Sequence, residues 1–214
     1  MSNEKAPGLG ELLRAPGDMM DFAEGRPCGW RRAVFLAFVA AAGFALFGFS
    51  VGSFVGLDVA ALDAAKMVGV AAFSFVLCFP TLYVFATIGG SRLSAALLAV
   101  LGLVCMATLG CLLASLSPIL WLFAVSTEND AFIVVLSCFL AAFSLAFVMR
   151  PVAAAVNKGI VAKFAGLYVW LAVFAIVALQ AVTLARPMLT PLGTPVKPEG
   201  KCFFLMHFGE SVGL

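Results

Sequence analysis

The chain has 214 residues, 64% hydrophobic and 11% charged, with a net charge of +2 and 21 phenylalanines against 13 lysines and arginines. A soluble domain carries about 25% charged residues, so this composition excludes a water-soluble globular fold and indicates an integral membrane protein. No nucleic-acid partner is expected.

The first 32 residues read as a cytoplasmic or interfacial arm. Two short pieces, LGELLR and GDMMDF, flank Pro16, with apolar residues at 9, 12, 13, 19, 20 and 22, and CGWRR follows at 28–32. Trp30 suits the headgroup level, and Arg31 and Arg32 suit an anionic inner leaflet. The arm is a lead-in to the first helix or a docking segment for a partner.

Five charge-free runs follow, at 33–55, 67–90, 93–116, 131–149 and 164–185. Each reaches the roughly 20 residues that cross a hydrocarbon core about 30 Å thick. None shows the alternating ten-residue segments of a barrel. The expected fold is therefore all-α, a polytopic helical bundle over 33–186 with an external tail at 187–214.

The first run contains FGFSVGSFVG, whose Gly48, Gly52 and Gly56 lie four residues apart, with Ala41 and Ala45 extending the line inward. Spacing by four makes a shallow groove on a helix, where another helix can approach closely. Either the chain's own second or fifth helix fills it, or a partner does. The second run carries Pro80, which removes one hydrogen bond, crowds the Val76 carbonyl and predicts a kink. The third run is expected to end near Pro118, followed by the interfacial stretch ILWLF with Trp121 at the outer headgroups. The segment 117–130 then reads as a loop holding Glu128 and Asp130. Pro151 is expected to close the fourth helix, and the alanine-rich 152–166 reads as a short surface helix. After Arg186-Pro187 the tail is extended and ends in the aromatic KCFFLMHF.

Charge sets the threading. With the N-terminus in the cytoplasm, the inner segments hold Lys5, Arg14, Arg26, Arg31, Arg32, Arg92, Arg150, Lys158 and Lys163, nine of the thirteen basic residues. The outside keeps Lys66, Arg186, Lys197 and Lys201. That asymmetry follows the positive-inside rule and gives N-inside, C-outside. The first run is too long for a signal-peptide core, so it reads as an uncleaved anchor. No myristoylation or prenylation signal is read at either end.

The inventory of reactive groups is thin. None of the five runs carries an ionisable Asp, Glu, Lys or Arg, which argues against a proton-coupled pump. The single histidine, His207, lies in the apolar tail. No serine stands at a defined spacing from a histidine or lysine that could activate it. No zinc or phosphate-loop motif occurs, so an enzyme is not expected, and no cofactor or metal is assigned. Cys78 and Cys105 fall near the midplane and Cys111 and Cys138 in the outer half, which leaves open a redox or soft-metal reading beside ordinary packing. Asp58, Asp63, Glu128 and Asp130 read as solvated, or paired with Lys66 and Arg186, with a weak cation site as the alternative reading. Asp63 and Lys66, three residues apart, form a natural interfacial ion pair.

Five blocks, LLRAPGDM, FPTLYVFATIGGSRL, PILWLFAVSTENDAF, LQAVTLARPML and KCFFLMHF, resemble a family of small polytopic bacterial inner-membrane proteins without an assigned activity. The resemblance covers most of the chain and implies a bacterial inner-membrane location. Its blocks gather at the outer boundary, which implies a working surface built from Trp121, Ser126, Thr127, Glu128, Arg186 and Phe203. The five-span threading also resembles, at the level of topology alone, the Yip family of trafficking membrane proteins. The leading expectation is a non-enzymatic scaffold or accessory subunit that contacts lipid and other membrane subunits or a second copy of itself. The alternative is a small channel or transporter subunit for a neutral or apolar solute, lined by Ser74, Thr108, Ser144 and Gln180.

Overall fold

The computed structural model describes residues 30–88, 94–127, 129–157 and 166–184. These form five α-helices: α1 (Trp30–Gly52), α2 (Leu57–Ile88), α3 (Ala95–Ser126), α4 (Asp130–Asn157) and α5 (Gly166–Leu184). Four of them are long and apolar enough to cross a membrane, over Arg31–Gly52, Leu57–Ile88, Ala95–Ser126 and Phe132–Pro151. The apolar part of α5, Tyr168–Val182, is shorter.

The helices outrun the charge-free segments. Pro118 and Pro151 were expected to end helices, yet α3 continues to Ser126 and α4 to Asn157. Thus most of the expected 117–130 loop is helix, and the expected surface helix at 152–166 begins as a continuation of α4. Proline removes only its own N–H bond, and the rings of Pro80 and Pro118 point outward, away from neighbouring helices. In lipid, unwinding would strand more carbonyls than continuing, so the helix persists. At the other end α2 starts ten residues before its charge-free run, taking Asp58, Asp63 and Lys66 into the helix. Asp58 lies in the first turn, where a carboxylate favours the positive end of the helix dipole.

The caps come from side chains. Ser94 Oγ accepts the Leu97 N–H (3.3 Å) and starts α3. Asn129 Oδ1 accepts the Phe132 N–H (3.2 Å) and starts α4. At the end of α3 the Thr127 N–H donates to the Phe123 carbonyl (3.1 Å). Each partner satisfies a backbone group that a helix end leaves open.

α3 is the core. Leu98, Val104, Ala107 and Leu120 have no exposed surface, and every residue from 104 to 110 is buried. A helix apolar on all sides belongs inside a bundle. Its most extensive neighbour is α1, which also packs along α2; α4 covers another flank of α3, and α5 docks on α2. α2 meets α3 directly at fewer places, among them Gly102, beside Phe75 and Leu82. The outward faces of α2, α4 and α5 carry Phe73, Val76, Phe139, Phe143 and Ile176, all well exposed, as suits side chains turned to lipid tails.

One long-range hydrogen bond ties α5 to α2. The buried Trp170 Nε1–H donates to the Cys78 carbonyl at 2.9 Å. The carbonyl that receives the neighbour's donor is thus Cys78's and not that of Val76, four residues before Pro80, which faces outward. Interhelical hydrogen bonds in membranes average about 0.6 kcal/mol and reach about 1.7. Trp170→Phe is therefore expected to lower stability by about 1 kcal/mol, read as a shift in the unfolding midpoint in mixed detergent. An unchanged midpoint would show that the ring's packing, including its 5.8 Å stack on Phe174, holds α5 without the bond.

Candidate functional site

Backbone contacts fix how the helices run. A β-carbon placed on Gly52 would sit 2.6 Å from Ala60 Cα and 3.1 Å from Asp63 Cβ, and one on Gly48 would sit 2.6 Å from the Asp63 carbonyl and 2.7 Å from Met67 Cγ. Rising numbers in α1 meet falling numbers in α2, so the two are antiparallel. Gly43 abuts Gly110, and Gly102 meets α2 at Phe75 and Leu82, which sets α3 parallel to α1. The α1–α2 turn and the α3–α4 turn therefore lie at the same end of the bundle, called here the turn end.

The groove read from the glycine spacing holds α2 at two of its three positions. Gly48 and Gly52 receive Ala60, Asp63 and Met67, whereas Gly56 lies past the end of α1, where an added β-carbon meets nothing within 4 Å. Ala45 is half-buried. The tightest contact lies off that line, between Gly43 and Gly110. A β-carbon on Gly43 would lie 2.6 Å from Gly110 Cα, and one on Gly110 would lie 2.8 Å from the Ala40 carbonyl oxygen. Neither is reachable by a real β-carbon, so these two glycines set the α1–α3 separation. Isolated glycines in two separate helices carry no spacing signal, and sequence reading missed the pair for that reason.

Asp63 is the second feature that spacing alone did not disclose. Its ion pair with Lys66 forms as expected, Nζ to Oδ1 at 3.1 Å. The carboxylate is not solvated, however. Its side chain is 1% exposed against 29% for Lys66, because Gly48 and Gly52 let α1 close over it. Oδ2 has no hydrogen-bond partner among the described residues. The charge-free runs hold no Asp, Glu, Lys or Arg, yet a carboxylate just before the second run is buried inside the packed helix pair.

The turn end also carries the expected outer-boundary surface. α1 ends nine residues beyond Gly43 while α3 runs sixteen beyond Gly110, so α3 projects about 10 Å further at about 1.5 Å per residue. On that projection Trp121 is 48% exposed, alongside exposed Ile119, Leu122, Phe123 and Val125. Phe123 meets Phe132 of α4 edge to face with centroids 5.6 Å apart. Ser126 Oγ donates to the Leu122 carbonyl at 2.7 Å, and Thr127 Oγ1 accepts the Asn129 N–H at 3.4 Å. These two polar residues thus close the tip locally. Glu128, Arg186 and Phe203 lie outside the described residues, as do Trp30's side chain and His207.

The candidate pore residues are placed differently. Thr108 and Ser144 are buried, and each turns its hydroxyl onto its own helix, Thr108 to the Val104 carbonyl (2.8 Å) and Ser144 to that of Leu140 (2.9 Å). Buried Ser74 has a hydroxyl without a partner among the described residues, and Gln180 is half-buried and engaged. The first two offer a passing solute only a shared hydroxyl. Cys78, Cys105, Cys111 and Cys138 are unpaired thiols. Among the described residues no three His, Cys, Asp or Glu stand together as a metal site.

Comparison with protein-family models, with curated proteins and with solved structures gives no match, and nothing in it bears on the family resemblance read from the sequence.

Proposed function

We propose that this chain is a five-span, non-enzymatic protein of the bacterial inner membrane, N-inside and C-outside, that acts as a scaffold or accessory subunit of a larger membrane assembly. The observation that carries the reading is the α3–α4 tip. At about 1.5 Å per residue α1 measures about 34 Å, enough for a hydrocarbon core of about 30 Å. The 32 residues of α3 measure about 48 Å against about 40–45 Å for a bilayer with its headgroups, and we read its turn end as reaching past them. The projecting part presents Trp121, Leu122 and Phe123 where lipid tails no longer cover them, and exposed aromatic and apolar clusters of this kind mark docking sites. The positive-inside asymmetry supports placing this end outside, and the sequence resemblance supports the bacterial membrane. The fifth span of this reading is the charge-free run 164–185, within which α5 lies.

The tip reading has a direct test. Affinity purification of the tagged full chain in mild detergent is expected to bring down a stoichiometric membrane partner. The Trp121→Ser, Phe123→Ser double variant is expected to keep its helix content, since exposed substitutions cost about 0.5 kcal/mol or less each. It should lose the partner. Recovery of the wild-type chain alone, at monomer mass in several detergents, would refute the proposal.

A further inference from the structure

The tip of α3 is an apolar surface that nothing among the described residues covers. Trp121, Leu122 and Val125 are all well exposed there. The outward faces of α2, α4 and α5 have lipid tails to cover them, and the tip, standing past the headgroups on the reading above, has not.

α5 delivers the chain to that end. The bond from Trp170 to the Cys78 carbonyl sets Trp170 level with Cys78, ten residues before the end of α2 at Ile88 and twenty-one after its start at Leu57. Ala181, eleven residues further along α5, is buried. Eleven residues in the direction of Ile88 would carry it past the end of α2, the helix on which α5 docks, so α5 runs toward the turn end. Leu184 then stands about 21 Å above the level of Cys78. Phe123, counted through the Gly52–Ala60 and Gly43–Gly110 contacts, stands about 33 Å above it. With neighbouring helix axes about 8–10 Å apart, the step from α5 across α2 to α3 adds about 20 Å sideways. The gap from Leu184 to the tip is therefore about 25 Å.

Nineteen residues separate Leu184 from Phe203. A flexible chain of that length averages about 25 Å end to end, and a proline-rich, extended one reaches about 60 Å. Both cover the gap, and a tether whose mean length matches its span gives the highest local concentration. The segment so delivered is KCFFLMHF at 201–208, with Phe203, Phe204, Leu205, Met206 and Phe208. Apolar side chains at that density are driven out of water onto an apolar face within reach, and Trp121 offers an aromatic one. In sequence, 117–130 holds Glu128 and Asp130 with no lysine or arginine, and Lys201 opens the aromatic segment. Opposite charges beside an apolar contact favour that encounter.

We propose that residues 201–208 seat on the α3 tip of the same chain, against Trp121, Leu122 and Val125. One consequence rests on the docking reading: a partner that binds the tip displaces this segment, which makes the segment a built-in competitor for that surface.

Disulfide trapping on the full chain in liposomes tests the seat. Leu122→Cys and Val125→Cys each put a thiol on the tip, and the native Cys202 supplies the second. Leu57→Cys is the control, since Leu57 is exposed at the same end and belongs to the helix on which α5 docks, nearer the tether. Under a mild oxidant the tip variants are expected to form an intrachain disulfide, read as a faster band at monomer mass on a non-reducing gel. The rate should be at least about fivefold that of the control, the margin expected of a docked over a freely tethered segment. Adding Cys202→Ser should abolish the band. Trapping at Leu57→Cys as fast as at the tip would place the segment on the membrane surface, and a disulfide between two chains would seat it on a second copy. Either result, or no trapping at both tip positions, would overturn the proposal. No partner enters this experiment, so its failure leaves the docking reading standing, and a purification that yields no partner leaves the seat standing.

Discussion

Replacing Gly43 with leucine is expected to prevent the bundle from assembling. The α1 and α3 backbones meet at Gly43 and Gly110, and any β-carbon at either position lands on main-chain atoms. Backbone cannot rotate away as a side chain can, so the two helices must separate. α1 and α3 form the most extensive helix pair of the fold, with Leu36, Ala40, Phe44 and Phe47 on the buried side of α1, and this packing is what would be lost. Overpacking in a yielding core costs about 1–3 kcal/mol; at an unyielding backbone contact the cost should exceed about 3 kcal/mol. The measurement is the yield of monodisperse protein in detergent and its unfolding midpoint. Gly69→Leu is the control, because Gly69 is exposed and an added β-carbon there meets nothing within 4 Å. Equal behaviour of the two variants would show that α1 does not pack on α3 as described.

The second large effect is expected at the ion pair. Removing one partner of a buried pair costs about 3–5 kcal/mol, because the remaining charge stays desolvated. Lys66→Met should approach the lower end of that range, since Lys66 itself is partly exposed. Asp63→Asn should cost less, since the remaining ammonium can turn toward the surface. The informative variant is the double one, Lys66→Met with Asp63→Asn, which is expected to recover most of the loss from Lys66→Met alone. Unfolding midpoints of the four proteins form a double-mutant cycle. A cycle that closes with no interaction energy would show that the 3.1 Å contact contributes nothing.

These two sites show what the sequence could and could not disclose. The apolar runs located every described helix, because backbone in lipid has few alternatives and the required length is set by the bilayer. Their boundaries were misjudged at Lys66, Pro118 and Pro151, where a charge or a proline was taken as a stop. Helices end where their hydrogen bonds are replaced by caps, as at Asn129 and Thr127, and neither Lys66 nor Pro118 ends one. The Gly48–Gly52 line was legible because spacing by four is a property of one helix. The Gly43–Gly110 contact was not, since it depends on which faces two distant helices turn to each other. Asp63 was legible as an ion-pair partner three residues from Lys66. Its burial was hidden, because that depends on α1 folding back across it. The outer-boundary residues divide in the same way. Trp121, Ser126 and Thr127 fall together on the tip, whereas Glu128, Arg186 and Phe203 lie outside the described residues.

The proposed role of the tip rests on the turn end facing outward. Alkaline phosphatase fused after Thr127, in the α3–α4 turn, is active only if that turn is exported, and a fusion after Leu214 reports the other end of the same threading. Both fusions are expected to be active, with a fusion after Asn157 inactive. An inactive fusion at Thr127, with an active one at Asn157, would invert the bundle and contradict the account.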